Sequence, residues 1–338
     1  DNKESHAIQQ QWLTWHTAAT ERHVFFHHSL RMAWIDTYRK LRDINPLFCI
    51  ARKDQVLIFL PLVHWRKNWK NAFQRVIVPV GYSDFDYHDP ILIGNSEKIA
   101  DQFYQELTEQ IKQNFSFDKL MVDGIRTKVN LSGWKQEADI CPYCNLFETE
   151  NQEAFLKSLK TSLRGDLNRQ IRRLSEQGHV ELYNYSEETL DQALQALPHF
   201  LALHAGRWPM AYKAPGFHAA LLAQGIKAGI VDFSELRVGA KAISWHLGFS
   251  ENDRYYYYMP VIDPEFANFS PGKVHLLYLV NKAIQNKIHI FDHLRGDENY
   301  KSGWTNQVQH LYSFTERSSN KSGIVRNWFT EELKQKLR

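Results

Sequence analysis

Cysteine is scarce in this sequence, with 3 residues among 338. Three thiols are too few for a disulfide framework, which indicates a protein of a reducing compartment. Cys141 and Cys144 have the spacing of a metal or redox pair. A zinc site needs two more ligands and no second pair is present, whereas a thioredoxin-like motif opens a helix and residues 140–147 are predicted to be extended. We therefore expect ordinary thiols and no metal site.

Long apolar runs are also missing. The longest, residues 56–63, is interrupted by Pro61 and is far shorter than the roughly 20 residues that a membrane-spanning helix needs. The first residues lack the basic and apolar regions of a signal peptide. The sequence predicts a cytoplasmic protein without a membrane span.

An excess of either charge is missing as well, since 41 basic residues face 38 acidic ones and the net charge is +3. This balance gives no reason to expect a DNA-binding protein, although local basic stretches remain. The hydrophobic fraction of 43% and the aromatic fraction of 13% are enough for a substantial core. The chain is predicted to be globular.

The order of predicted elements occurs twice along the chain. A helix, three strands, a helix and a strand appear before residue 126, and the same order returns from about residue 215. We predict an α+β fold with two copies of one unit, each a mostly antiparallel sheet flanked by helices. The predicted parts are an N-terminal domain at 1–150, a C-terminal domain at 151–320 and a helical tail at 321–338 that includes Leu333. The second helix of the first copy is predicted to begin near Glu97.

Residues 266–304 form the stretch with the most candidate functional residues. Ser270 suits an N-cap, Pro271 suits the first helical position, and Gly272 leaves the amides of the helix start uncovered. Such a helix start is a plausible anion site, to which Lys273 adds charge. A helix start that binds nothing is the alternative, because this tripeptide opens many helices.

A short strand after this helix ends at Asp292, and the loop that follows is rich in ionisable side chains. A plain surface turn does not need such a density of charge, which favours a functional loop. The side chains are Arg295, Asp297, Glu298, Tyr300 and Lys301.

The motifs FSPG at residues 269–272 and FDHLRGDENYKSGW at residues 291–304 resemble the signature of a known family. It is the CelD-like, cellulose-biosynthesis group of double-domain GNAT-type acyltransferases, distant relatives of the FemA/FemX peptidyltransferases. Fainter similarity lies at residues 163–174 and 203–208. The resemblance implies tandem GNAT-like domains, with an acyl-CoA, most simply acetyl-CoA, as donor in the second one. The first domain has no matching glycine at its helix start and is expected to have lost cofactor binding.

Acyl transfer to an amine needs a cradle for the phosphates of the donor, a base and dipoles for the developing oxyanion. We assign the base to Asp292 or Glu298, with His204 as a third candidate, since burial would raise the carboxyl pKa of Asp292. Plain salt bridges to Arg295 or Lys301 are the alternative for both carboxylates. The predicted cofactor residues are Ser270, Pro271, Gly272, Lys273 and Arg295.

Lys301 is similar to a lysine that FemA/FemX-type enzymes keep near the acyl group, which implies a catalytic role. Acceptor binding is assigned to the loop at residues 81–90 and to the region around the LHAGRW motif and the tyrosine-rich strand. The predicted acceptor residues are Asp84, Asp86, His88, Arg207, Trp208 and Tyr257.

The predicted function is acetylation of an amine or hydroxyl on a sugar-containing, small or nucleotide-linked precursor of a surface polysaccharide. A FemX-like transferase that uses aminoacyl-tRNA is the alternative, because residues 157–173 are rich in arginine and lysine, although a solvated charged face explains them equally well. A non-catalytic accessory protein of polysaccharide assembly is the third interpretation.

Overall fold

The molecule divides into two compact units. In the computed structural model, which describes residues 2–94, 99–209, 211 and 214–330, one unit combines Asp1–Ala138 with His310–Arg338, and the other is Asp139–Gln309. Each unit has its own apolar core.

The first unit begins with two helices and continues into a sheet. Its elements up to the unit boundary are α1 (Asn2–Ala18), α2 (His28–Leu41), β1 (Asp43–Lys53), β2 (Val56–Arg66), β3 (Arg75–Pro79), β4 (Ile91–Ile93), α3 (Ile99–Asn114), β5 (Lys119–Ile125) and the first residues of β6 (Trp134–Asn145). Strands β1, β2 and β3 are antiparallel neighbours, whereas β3 and β5 are parallel. A parallel pair needs a crossover, which helix α3 provides. Glu97, where this helix was predicted to begin, lies outside the described residues.

The second unit repeats this arrangement. Its elements are α4 (Gln152–Ser158), α5 (Thr161–Ser175), β7 (Val180–Asn184), α6 (Leu190–Arg207), α7 (Phe217–Lys227), β8 (Val231–Val238), β9 (Lys241–Glu251), β10 (Arg254–Ile262), α8 (Pro271–Gln285) and β11 (Ile290–Asp292). Its strands follow the order β6, β11, β10, β9, β8, β7. Again three antiparallel strands lead through a helix to a strand parallel to the third, here β10 and β11. The predicted α+β fold with a repeated unit is confirmed.

The chain then returns to the first unit. Strand β12 (Val308–Arg317) pairs antiparallel with β5, and helix α9 (Lys321–Trp328) follows it. The sequence-based boundaries at 150 and 320 therefore differ from those of the compact units, because a strand pattern does not reveal which strand will be its neighbour. Leu333, predicted in the tail, lies outside the described residues.

Helix α8 is the central element of the second core. Its predicted apolar face is confirmed: Val274, Leu277, Val280 and Ile284 are all buried. They pack with the sheet residues of β10 and β11 and with α5. Because this face is buried along its length, the position of the helix start is fixed by packing.

An ion pair attaches α9 to Asp118, the residue before β5 in the same unit. Arg326 donates to both carboxylate oxygens of Asp118, at 2.8 and 2.7 Å, and the backbone N–H of Arg75 donates to the same carboxylate. Burial alone would raise the carboxyl pKa of Asp118, but the hydrogen bonds from Arg326 and Arg75 outweigh it, and the pKa lies below its ordinary value. The pair therefore stabilises the folded state above the ordinary Asp pKa, and this stability is lost as the pH falls through the folded pKa.

We expect Arg326→Gln to lower the stability of the first unit by about 2 kcal/mol at neutral pH, because charge-assisted hydrogen bonds are lost. The difference between variant and wild type should shrink as the pH falls below about 4 and through the lowered folded pKa of Asp118. Thermal unfolding followed by circular dichroism at several pH values measures this. Equal differences at neutral and acidic pH would show that the ion pair does not attach the helix.

The two closely spaced cysteines lie on a strand. Cys141 and Cys144 are buried on strand β6, which is extended as predicted. Burial raises the thiol pKa of Cys144 to about 12.

In the part of the chain that the structure describes, no helix is long and apolar enough to cross a membrane.

Candidate active site

A cavity of about 270 Å³ lies at the start of α8, within the second unit. The end of α6, the second half of β10 and the turn into α8 form its walls. Three predicted cofactor residues and three predicted acceptor residues line it together: Ser270, Gly272, Lys273, Arg207, Trp208 and Tyr257. Residues that lie far apart in the sequence thus converge on one site.

The cavity exists because β10 and β11 separate. Their parallel ladder joins Arg254–Tyr256 to Ile290–Asp292. Strand β11 ends there, whereas β10 continues to Ile262, and a bulge between Tyr256 and Met259 shifts its register against β9. The second half of β10 therefore presents an edge to the cavity, where main-chain groups can meet a ligand.

The helix start contributes one available amide. Ser270 occupies the N-cap position as predicted, but its backbone is left-handed and its side chain makes no capping hydrogen bond within the described chain. Its carbonyl oxygen instead accepts from the N–H groups of Lys273 and Val274, at 3.0 and 3.4 Å. Pro271 has no N–H. In the described part of the chain, the N–H of Gly272 is therefore the first-turn amide without an acceptor.

Gly272 also keeps the approach to this amide open. A Cβ atom at this position would lie 3.2 Å from Cγ2 of Ile262 on β10, so a side chain would fill the space between the helix start and the strand. The partial positive charge of a helix N-terminus favours an anion here.

Helix α5 holds the turn that precedes α8. Arg173 donates to the carbonyl oxygen of Asn268 at 2.9 Å, and its guanidinium lies 4.7 Å from the ring centre of Phe269. Lys273 pairs with Asp166 at 2.8 Å, and the hydrogen bond from Lys273 holds the carboxyl pKa of Asp166 below its ordinary value. The basic helix is thus in contact with the helix start, and the Lys273 ammonium is already partly neutralised.

Two phenols form the inner wall of the cavity. The ring of Tyr257 stacks on His246 with centres 4.4 Å apart, and Tyr300 is another lining residue. Burial raises the pKa of Tyr257 well above its ordinary value, and burial followed by the negative charge of Glu298 raises that of Tyr300. Both hydroxyls therefore stay protonated at neutral pH and are hydrogen-bond donors.

Two of the predicted catalytic residues have structural partners. Asp292 is fully buried; it accepts from Arg254 at 2.9 Å and from the backbone N–H of Leu294 at 2.8 Å. The ammonium of Lys301 is buried and donates to three carbonyl oxygens of the loop, at 2.9 to 3.3 Å. These carbonyls belong to Leu294, Arg295 and Gly296. Neither side chain belongs to the cavity lining among the described residues, and their catalytic roles stay predictions.

The other predicted residues of the second unit lie around these. Glu298 is half-exposed and pairs with Lys301 at 2.8 Å. The ring of His204 packs on Trp208, with centres 4.5 Å apart. The Arg295 guanidinium lies 3.9 Å from the carboxylate of Asp139. The negative charge of Glu298 contributes to the raised pKa of both cavity tyrosines, and its role as the base stays a prediction.

The predicted acceptor residues of the loop at 81–90 belong to the first unit. The carboxylate of Asp84 is buried and accepts from Trp34 at 2.8 Å and from Tyr38 at 2.7 Å, so it attaches the loop to α2. His88 is buried too, and its Nδ1 lies 3.2 Å from the carboxylate of Asp123. Asp86 is half-buried. A role of these three side chains in acceptor binding stays a prediction.

The second unit matches a family model. Residues 161–302 match the model described as an acetyltransferase (GNAT) domain. This part of the chain is similar to a GNAT domain. The matched region contains the whole lining of the cavity, including the Gly272 amide and Tyr300.

Solved structures share the fold of the whole chain at low sequence identity. FemX has a TM-score of 0.62 and 10% identity, with 90% of this chain and 95% of that one covered. A conserved protein of unknown function from Bacteroides thetaiotaomicron VPI-5482 gives 0.56 and 12%, covering 91% and 97%. A tandem GNAT protein from the clavulanic acid biosynthesis pathway gives 0.50 and 8%, covering 92% and 96%. None of the curated proteins matches the chain. These likenesses support a double GNAT-like fold.

Sequence reasoning missed part of the cavity. Tyr300 was noted as one of the ionisable side chains of its loop but was not assigned to the site, and Pro260 and Leu276 were not noted at all. Tyr300 could have been found from its place beside Lys301 in the family-like motif. The apolar wall has no signal of its own, because its residues are typical of any strand or helix core.

Proposed function

We propose that the second unit transfers an acyl group from an acyl-CoA, most simply acetyl-CoA, to an amine or hydroxyl. The observation that carries this proposal is the Gly272 amide at the head of the cavity. Arg207 supplies positive charge at the lining, to which Lys273, partly neutralised by Asp166, adds. A diphosphate is the part of coenzyme A that an uncovered helix start and two cations suit.

The residues of the cavity fit this donor along its length. The edge of β10 beyond Tyr256 offers main-chain hydrogen bonds to an extended amide-containing chain, and Trp208 and Leu276 offer apolar contact. When bound, an acyl-CoA supplies an activated acyl carbon and a thiolate leaving group. Aromatic side chains line the cavity, and the low polarity of their rings strengthens hydrogen bonds made beside them.

The proton transfers that the reaction needs suggest a role for each polar side chain. An attacking amine must lose a proton as the new C–N bond forms, and Glu298, half-exposed and paired with Lys301, is the proposed acceptor of that proton. Tyr257 and Tyr300, both neutral, are proposed to donate to the acyl oxygen or to the departing sulfur. The C–S bond breaks in the same exchange, and the sulfur leaves as a thiol once it has received a proton.

The finer assignment is an acceptor with a sugar-containing skeleton in surface polysaccharide biosynthesis, in the cytoplasm where acyl-CoA is made. It is supported by the resemblance of the motifs at residues 269–272 and 291–304 to the CelD-like group. A second candidate is an aminoacyl-tRNA donor, as in the FemX-like alternative. The observation that favours it is the contact of the arginine-rich helix α5 with the head of the cavity through Arg173.

Ligand-dependent thermal unfolding separates these candidates. At a coenzyme A concentration about 100-fold above Kd, we expect a stabilisation of about 2.7 kcal/mol and a rise of several degrees in the midpoint of the second unit. Acetyl-CoA should act alike, whereas pantetheine, which lacks the diphosphate, should act much more weakly.

A rise with uncharged tRNA but not with coenzyme A would favour the second candidate. The third interpretation, a non-catalytic accessory protein of polysaccharide assembly, predicts a different result. Neither ligand should raise the unfolding midpoint, and acetyl-CoA should release no thiol in the presence of amino sugars.

A further inference from the structure

The hairpin tip between β2 and β3 carries aromatic and basic side chains together. This tip, residues 66–75, contains four basic residues and no acidic one. Trp69 is 68% exposed and Phe73 is 52% exposed. Large aromatic side chains at such exposure, grouped on one projecting turn, mark an interaction surface. The tip belongs to the first unit, and the proposed acyl transfer does not use it.

Cations lie beside both exposed rings. The guanidinium of Arg66 is 5.4 Å from the ring centre of Phe73, and the ammonium of Lys70 is 5.8 Å from that of Trp69. Within the described chain, neither cation has a carboxylate partner. Their charge is therefore available to an anionic partner that also offers an apolar phase to the rings.

A cavity of about 330 Å³ adjoins the tip. Three basic side chains, those of Arg42, Arg66 and Lys67, line it together with one acidic side chain, Asp43, and the amides of two asparagines. Its size and charge suit a phosphate-bearing group.

The tip is a hydrogen-bonded turn in which the Phe73 side chain is exposed. Ala72 and Phe73 both have positive φ, 50° and 52°, a conformation that is rare for bulky residues. The N–H of Phe73 donates to the carbonyl oxygen of Asn68 at 3.1 Å. Gln74, at the base of the tip, donates to the Asn327 side chain at 2.7 Å. These hydrogen bonds fix the backbone of the turn that carries the exposed ring.

We propose that this tip docks the first unit on a membrane surface that contains anionic phospholipids. Trp69 and Phe73 enter the boundary between headgroups and acyl chains, while Arg66 and Lys70 contact lipid phosphates. Tryptophan and phenylalanine beside lysine and arginine are the combination that settles at this boundary. Single-stranded nucleic acid fits less well, because bases stack on open ring faces and here a cation already lies over one face of each ring.

Cosedimentation of the full chain with vesicles tests the proposal. We expect binding to vesicles of phosphatidylcholine mixed with phosphatidylserine, little binding to phosphatidylcholine alone, and a decrease with salt. The variant Arg66→Gln/Lys70→Gln should lower partitioning about tenfold, since each basic residue near an anionic surface contributes to binding. Trp69→Ser/Phe73→Ser should lower it at least as much.

Matched controls keep the outcome decisive. Phe147 is 66% exposed and Lys128 and Lys135 are exposed, so Phe147→Ser and Lys128→Gln/Lys135→Gln remove the same kinds of side chain elsewhere. Both controls should bind like wild type, and thermal unfolding should show that all variants fold. The proposal would be overturned if the wild-type protein did not bind anionic vesicles, or if the control variants lost as much vesicle binding as the tip variants. So would binding of a single-stranded oligoribonucleotide that only the tip variants lose, with vesicle binding unchanged.

Discussion

Gly272→Asp should weaken binding of coenzyme A on the order of a hundredfold, which corresponds to about 3 kcal/mol. The new side chain fills the space between the helix start and Ile262, because a Cβ atom at this position would lie only 3.2 Å from Cγ2 of Ile262. It also places a negative charge beside the amide that the diphosphate is proposed to use. Isothermal titration calorimetry with coenzyme A measures the loss, and acyl transfer should fall with it.

A second glycine provides the control for this variant. Gly165 lies in α5, and a Cβ atom there would meet nothing within 4 Å. Gly165→Asp therefore adds the same charge to a helix of the same unit without filling the cavity, and we expect coenzyme A to bind within about threefold of wild type. Full binding by Gly272→Asp would mean that the phosphates bind elsewhere.

Asp292→Asn should lower the stability of the second unit by about 3 kcal/mol, a fall of roughly 10 °C in its unfolding midpoint. The carboxylate is fully buried, and its neutralisation leaves the Arg254 guanidinium without its charge partner at 2.9 Å. It also weakens the hydrogen bond from the Leu294 N–H, which shapes the loop after β11. Differential scanning calorimetry measures the change.

Glu298→Gln is the matched comparison, because it removes a carboxylate from the same loop. Glu298 is half-exposed, and the buried Lys301 ammonium keeps its three carbonyl acceptors, so the loss of this carboxylate should cost less stability than the loss of Asp292. If Glu298 is the base, this variant should bind coenzyme A normally but transfer far more slowly. A stable Asp292→Asn protein with abolished transfer would instead assign the base to Asp292.

The sequence predicted the features that depend on near neighbours. Ser270, Pro271 and Gly272 mark the start of α8 because proline and glycine restrict or free the backbone locally. The apolar period of that helix predicted its buried face for the same reason. The repeat of the element order was likewise visible, since alternation and turn residues are local signals.

The features that depend on distant parts of the chain were not predicted. The ammonium of Lys301 ends among three loop carbonyls because Leu294 adopts a left-handed backbone, with φ of 58°, and turns the loop back. No residue pattern predicts that turn, so these hydrogen bonds of Lys301 were not foreseen, and its catalytic role stays a prediction. Strand β7 was missed, because its few residues VELYN have only weak alternation and their partner β8 lies far along the chain.

The return of the chain at His310 sets an order of events during synthesis. Strand β5 needs β12 as its neighbour, yet every residue of the second unit leaves the ribosome between them. The N-terminal part therefore emerges with the β12 side of strand β5 unpaired, and unpaired strand edges can pair with the wrong strands. Maturation of the first unit therefore waits for strand β12, and the intervening unit has time to fold before that strand is made.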